Sequence, residues 1–284
     1  MSKVARSAPA ISAHRGGGET EPSGTYEAYR SALAAGAEYV EFDVRRTLDG
    51  TLVAFHRARL GWAWLGWGRL GWGRAVAAVS YARLCELAGY EVPRMAELMQ
   101  LLAGRAVGHV DLKETSCADV IVRHAVEALG PAGVIVTTGE GAVAAVLKRR
   151  FPAVPVGLTI GGDVAETAAF NVRRLRARGL SRLDRVVASR ADVAVVYHRL
   201  ARTGVLAECR RRGIKTMVWT VNGDQALAGW LASPNVDVLV TDRPARAIAL
   251  RRRLGGPGGD LPSGPGTSVR RPKLVEMPVG GTRR

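Results

Sequence analysis

Between residues 4 and 254 the chain alternates short apolar, β-rich runs with longer segments of helical periodicity. Eight runs read as strands: AISAH (10–14), YVEFDV (39–44), VGHVDLK (107–113), GVIVTT (133–138), PVGLTI (155–160), DVAVVY (192–197), IKTMVWTV (214–221) and VDVLVTD (236–242). Helical segments follow most of them, which is the pattern of βα units around a parallel sheet. TYEAYRSALAAG predicts a helix that stops at Gly36, and RPARAIALRRRL predicts one with Pro244 in its first turn. Eight such units in about 250 residues favour one α/β domain, a (β/α)8 TIM barrel, over an open dinucleotide-binding sheet.

Two segments break this rhythm. LVAFH (52–56) predicts a hairpin extension of the second strand, its turn set by Asp49-Gly50. It leads into GWAWL-GWGRL-GWGRA (61–75), a near-repeat of five residues that holds four of the six tryptophans. With neither strand alternation nor helical continuity, this segment predicts a glycine-rich flap at the rim of the site. Its tryptophans, with Arg69 and Arg74 close by, suit peripheral contact with an anionic membrane; packing of Trp62, Trp64, Trp67 and Trp72 on one another and on the barrel is the competing reading. From Gly255 onward the chain is rich in Gly and Pro without apolar periodicity, which predicts a disordered tail. The expected organisation is therefore a barrel over 9–254 and a tail over 255–284.

Composition narrows the function. Of the 284 residues, 47% are hydrophobic, ample for a core. No apolar stretch of signal-peptide length precedes the first strand, and no run of ~20 apolar residues occurs, so the expected location is the cytoplasm. Cys85, Cys117 and Cys209 lie far apart without a CxxC spacing, which predicts reduced thiols and argues against a disulfide framework or a zinc site. A net charge of +16 and a pI near 10.9 invite a nucleic-acid reading. The arginines, however, are spread over separate helical segments such as 173–178, 210–212 and 251–253, without a nucleic-acid motif. Solvated helix faces are the preferred reading. The tail holds five Lys/Arg and two Asp/Glu, so most of the charge stays on the barrel.

The chemistry gathers at strand ends. Side chains alternate along a strand, so Glu41 and Asp43 share one face, as do Asp111 and Lys113. If that face is the barrel interior, three carboxylates converge, and burying them together requires cations or protonation. Oxygen ligands of this kind suit a divalent cation, Mg²⁺ or Ca²⁺, with Lys113 beside it on a substrate oxyanion. The competing reading pairs Glu41 and Asp43 with Arg45 or Arg46. His14, followed by Arg15 and the flexible Gly16 to Gly18, and His56 each end a strand or hairpin on the rim where barrel active sites lie. They suit general acid–base work. His109, His124 and His198 read as structural.

The stretch AHRGGGETEPSGTYEAYRSALAAGAEYVEFDVRRTLDGTLVAFHRARL, with HVDLKE, VWTVN and VLVTDRP further on, resembles the glycerophosphodiester phosphodiesterases, metal-dependent barrel enzymes. The resemblance covers roughly residues 9 to 254. It implies His14 and His56 as the acid–base pair, Glu41, Asp43 and Asp111 as metal ligands, Arg15 and Lys113 as phosphate contacts, and Trp219 in the pocket wall. Three positions depart from the family pattern: Pro22-Ser23-Gly24-Thr25 replaces Pro-Glu-Asn-Thr, Arg57 replaces the Asp after the second histidine, and Asp111 replaces a Glu. An Asp at that last place also occurs in the related sphingomyelinase D enzymes. The expected activity is hydrolysis of a small-molecule glycerophosphodiester to glycerol phosphate and an alcohol. The rivals are a phospholipase D-like or cyclising lyase acting on lysophospholipid or sphingolipid head groups, and a non-catalytic phosphate-binding or membrane-docking barrel.

Overall fold

The computed structural model describes residues 8–60, 74–162 and 181–255. The strands in chain order are β1 (Ala10–Ala13), β2 (Tyr39–Arg46), β3 (Leu52–Ala54), β4 (Arg59–Leu60), β5 (Arg74–Ala75), β6 (Val107–Leu112), β7 (Val134–Thr138), β8 (Val156–Ile160), β9 (Val193–Tyr197), β10 (Lys215–Trp219) and β11 (Val238–Thr241). The order β1-β11-β10-β9-β8-β7-β6-β2 closes through parallel β1–β2 pairing into an eight-stranded barrel. Each expected strand is present, with its ends trimmed by one to three residues or, in β2, extended to Arg46.

The pleat divides the side chains between two cores. Ile11, Val40, Phe42, Val110, Val136, Leu158 and Val196 face outward and are buried beneath the helices. Ile135, Val193, Val195, Met217, Val238 and Val240 fill the interior. This sets the polar residues of β2 and β6 inside the barrel, because Tyr39 and Val107 pack against the interior cluster and Glu41, Asp43, His109 and Asp111 follow them at intervals of two.

Helix α1 (Tyr26–Ala35) starts on Thr25, whose hydroxyl accepts from the Ala28 amide, and stops on Gly36 at φ 86°, as its sequence predicts. The last helix runs Pro244–Gly255, one residue into the expected tail; residues 256–284 lie outside the described residues. Its buried Arg251 donates to the Pro9 carbonyl at 3.0 Å and to Glu38 Oε1 at 2.6 Å, while Glu38 Oε2 accepts from the Ile11 amide at 2.9 Å. One guanidinium thus clasps the start of β1, the lead into β2 and the final helix.

The predicted hairpin is β3, antiparallel to β2 with Val44 opposite Ala54 and Arg46 opposite Leu52. It rests on a satellite core of Val53, Phe55, Val76, Val79, Leu84 and Val92. The tryptophan segment 61–73 lies outside the described residues, and the flap and membrane-contact readings with it. Among the described residues no helix is long and apolar enough to cross a membrane.

Candidate active site

The parallel register assembles the acidic cluster. Asp43 lies directly opposite Asp111 on the neighbouring strand, and Glu41 lies opposite His109 one pleat below. Glu41, Asp43 and Asp111 each offer a carboxylate oxygen within 4.8 Å of the others. Glu41 and Asp43 are only 3% exposed, so the cluster is withdrawn from water that would otherwise screen it.

Cations reach it from two sides. Lys113 Nζ donates to Asp111 Oδ2 at 2.5 Å and stands 3.2 Å from Asp43 Oδ1. Arg15 comes from the turn after β1, where it adopts φ 51°, ψ 38°, a left-handed conformation uncommon outside glycine. That turn sends its amide to Glu41 Oε2 at 2.7 Å and sets its Nε 3.1 Å from Asp43 Oδ2. The competing reading, in which Arg45 or Arg46 pairs with Asp43, does not hold: Arg15 and Lys113 make the pairs.

Gly16, expected to be flexible, is fixed in place. It is buried at φ 77°, and a Cβ there would stand 2.8 Å from the Ala28 carbonyl carbon and the Tyr29 nitrogen. Only glycine lets the turn press against α1 and deliver Arg15. Gly24 helps: its amide donates to the Arg15 carbonyl at 2.8 Å, and its φ of 83° is a conformation that asparagine also tolerates.

The two histidines are held by different carboxylates. His14 Nδ1 lies 2.6 Å from Asp242 Oδ1, just past β11, and Asp242 Oδ2 accepts from Asn222 Nδ2 at 2.6 Å. His56, beyond β3, brings its Nδ1 to 3.4 Å from Asp43 Oδ2. Asp242 and Asn222 were not singled out from the sequence, although both follow strands on the same rim. His109 was set aside as structural; it is buried, bonding Ser12 Oγ at 3.0 Å and Thr137 Oγ1 at 3.1 Å, and Thr137 donates to Asp111 Oδ1 at 2.8 Å. It therefore braces a ligand candidate from below. Trp219 ends β10, its indole donating to the Val195 carbonyl at 3.3 Å and its ring 5.4 Å from Tyr197.

The protonation pattern follows from these contacts. Burial, then the neighbouring Asp43, pushes Glu41 up to about 8. Burial also opposes ionisation of Asp43, but Lys113, His56 and Arg15 outweigh it and hold that carboxyl below its usual range. Burial works against a charged His14, yet Glu41 and the Asp242 hydrogen bond prevail and raise it. His56 is pushed down to about 4 by burial, with Arg15 and Lys113 adding to the effect.

Asp43 Oδ2 is buried without a hydrogen bond, since its Arg15 and His56 neighbours approach out of alignment. An orphaned carboxylate oxygen among three convergent carboxylates is the donor set of a hard divalent cation. The residues present fit such an ion.

Known proteins share this architecture. The barrel superposes on a glycerophosphodiester phosphodiesterase from Thermotoga maritima with a TM-score of 0.65 at 22% identity, covering 87% of this chain and 100% of that one. It also superposes on an Oleispira antarctica phosphodiesterase in complex with the product sn-glycerol-3-phosphate, with a TM-score of 0.64 at 17% identity, over 86% of this chain and 96% of that one. At these identities the likeness is one of fold. In sequence the chain is 50% identical over 52 residues to "Probable glycerophosphodiester phosphodiesterase 1" of Mycobacterium tuberculosis, a match covering 18% of this chain and 19% of that protein's length. The profile of the glycerophosphoryl diester phosphodiesterase family matches residues 14–114 and 106–246, from His14 past Asp242, and the chain belongs to that family.

Proposed function

We propose that the protein hydrolyses glycerophosphodiesters to a glycerol phosphate and an alcohol, using a divalent cation held by Glu41, Asp43 and Asp111. The observation that carries this reading is the orphaned Asp43 Oδ2, set between an arginine and a histidine while Lys113 faces the other oxygen of the same carboxylate. When bound, the cation supplies Lewis-acid stabilisation of charge on the phosphoryl oxygens. Mg²⁺ and Ca²⁺ both suit three carboxylates.

Around that ion the chain's own groups divide the work. Arg15 and Lys113 hold phosphoryl oxygens and offset the charge that builds on them. His14 and His56 exchange the protons: one takes a proton from the attacking oxygen, and the other gives one to the departing alkoxide. Asp242 fixes the orientation of the His14 ring and favours its cationic form. Trp219 and Tyr197 form an apolar wall for the carbon skeleton of the substrate. The product bound by the Oleispira antarctica protein supports a glycerol phosphate half in the substrate. A barrel over 9–254 is the catalytic unit in this reading, and its three free thiols suit the cytoplasm.

Phosphorus NMR on a panel of glycerophosphodiesters and lysolipids tests the proposal. Glycerol phosphate should accumulate with Mg²⁺ or Ca²⁺ and cease with chelator. A cyclic phosphate as the end product would replace hydrolysis by a cyclising lyase. Silence across the panel would overturn the enzymatic reading in favour of a phosphate-binding barrel.

A further inference from the structure

Arg45 lies two residues beyond Asp43 on β2, so the two side chains leave the same face of the strand. Its guanidinium reaches across to the segment after β3 and grips one atom with two donors. Nε and Nη2 both donate to the carbonyl oxygen of His56, at 3.2 and 3.0 Å. Among the described residues it makes no ion pair, although burial and the fields of Asp43, Glu114 and Asp111 act on its charge.

Elsewhere the segment is tied on either side of His56: beyond it, the Ala58 carbonyl accepts from the Val76 amide at 3.1 Å and β4 pairs with β5. The β2–β3 ladder ends at Val44 opposite Ala54, and one further backbone bond follows, from the Phe55 amide to the Asp43 carbonyl at 2.8 Å. His56 then leaves the sheet with its side chain 44% exposed. Two successive positions on one face of β2 therefore hold both ends of one residue: Asp43 faces the imidazole and Arg45 holds the carbonyl.

We propose that Arg45 is a positioning residue for His56, fixing the segment after β3 so that the imidazole stays beside Asp43. The inference rests on the acid–base role of His56 proposed above. Arg45 touches neither the carboxylate cluster nor, in this role, the substrate. Lysine can donate to the same carbonyl through a single nitrogen, whereas methionine matches the length of the side chain and donates nothing.

Arg45→Met should lower kcat on a soluble glycerophosphodiester by ~10- to 30-fold, the scale of a misplaced catalytic group, with KM changed less than about 2-fold. Arg45→Lys should stay within ~3-fold of the parent. In a His56→Ala background Arg45→Met should cost less than about 2-fold, because a residue acting through His56 has nothing left to position. Additive losses in that cycle, or a raised KM with unchanged kcat, would overturn the proposal and make Arg45 a substrate contact. Hydrogen exchange decides independently of turnover: amides at 53–60 should exchange ~10-fold faster in Arg45→Met while those of β6 hold. Unchanged exchange at 53–60 would also overturn it. A parent protein inactive on every phosphodiester would remove the catalytic reading, and the exchange result would still show whether Arg45 anchors His56.

Discussion

The two histidines are built in opposite ways. His14 sits where the barrel closes: its carbonyl accepts from Gly17, its ring is locked to Asp242 across the β1–β11 seam, and it is 19% exposed. His56 hangs beyond a three-residue strand, more than twice as exposed, held through one arginine and one carboxylate. The His14 corner is a product of the fold's own closure, so a change that alters its shape strains the barrel. The His56 corner is an outgrowth of a single strand pair and can be tuned with little effect on the barrel beneath it. Family resemblance assigns the two imidazoles equal standing, and the packing does not.

Substitutions of graded severity test this contrast. Asp43→Asn reaches both corners at once, since Asp43 meets Arg15, Lys113 and His56. Activity should fall at least ~10³-fold, and cation affinity by calorimetry should drop with it. Gly16→Ala strikes the turn after His14, where positive φ and a 2.8 Å clash with the α1 backbone should cost ~3 kcal/mol in urea unfolding. Arg57→Ala, beside the exposed His56, should change stability by no more than ~0.5 kcal/mol in the same experiment. Equal losses in the last two would erase the distinction.

Asp242→Asn keeps the shape of the His14 lock and removes its charge. It should lower kcat by ~10²-fold while the melting temperature moves little, and near-parental turnover would show that the lock serves structure alone. The smallest effect concerns protons. Without a cation Glu41 titrates at about 8, so it carries a proton at pH 7 that a bound ion must displace. Calorimetry in buffers of different ionisation enthalpy should register about one proton released per cation at pH 7 and almost none by about pH 9.5. Because this pKa is raised above its ordinary 4.5, its contribution to the stability of the cation-free barrel is present at acid pH and lost as pH climbs through about 8.

Much of this was legible in the chain. The eight strands announced themselves because a barrel strand is buried on both faces, leaving runs such as VAVV and VLV that nothing but a sheet interior explains. Glu41, Asp43 and Asp111 could be placed on one face from the pleat alone. What the pattern could not supply were partners distant in the chain. Asp242 is 228 residues from the imidazole it holds, and only closure of the barrel joins them. Gly16 to Gly18 read as flexible because glycine permits it; the close approach of α1, which turns permission into requirement at Gly16, is a tertiary fact. The rival pairing of Arg45 with Glu41 or Asp43 arose because opposite charges nearby in sequence invite pairing, yet a carbonyl across the hairpin took its donors.

The Arg251 clasp bears on how the molecule comes into being. It joins residues more than two hundred positions apart, as does the His14 lock. Contacts of such sequence separation pay loop-closure entropy before they return anything, and they slow folding. During synthesis the exit of β1 and its histidine from the ribosome precedes that of their partners by most of the chain, at ~5–20 residues per second. The strand therefore waits for ten seconds or longer, on this order of magnitude, with an unpaired edge that invites wrong partners. The His14 lock is among the last parts of the protein to form, and a nascent barrel carries the carboxylates of β2 and β6 well before the Asp242 side of the rim exists.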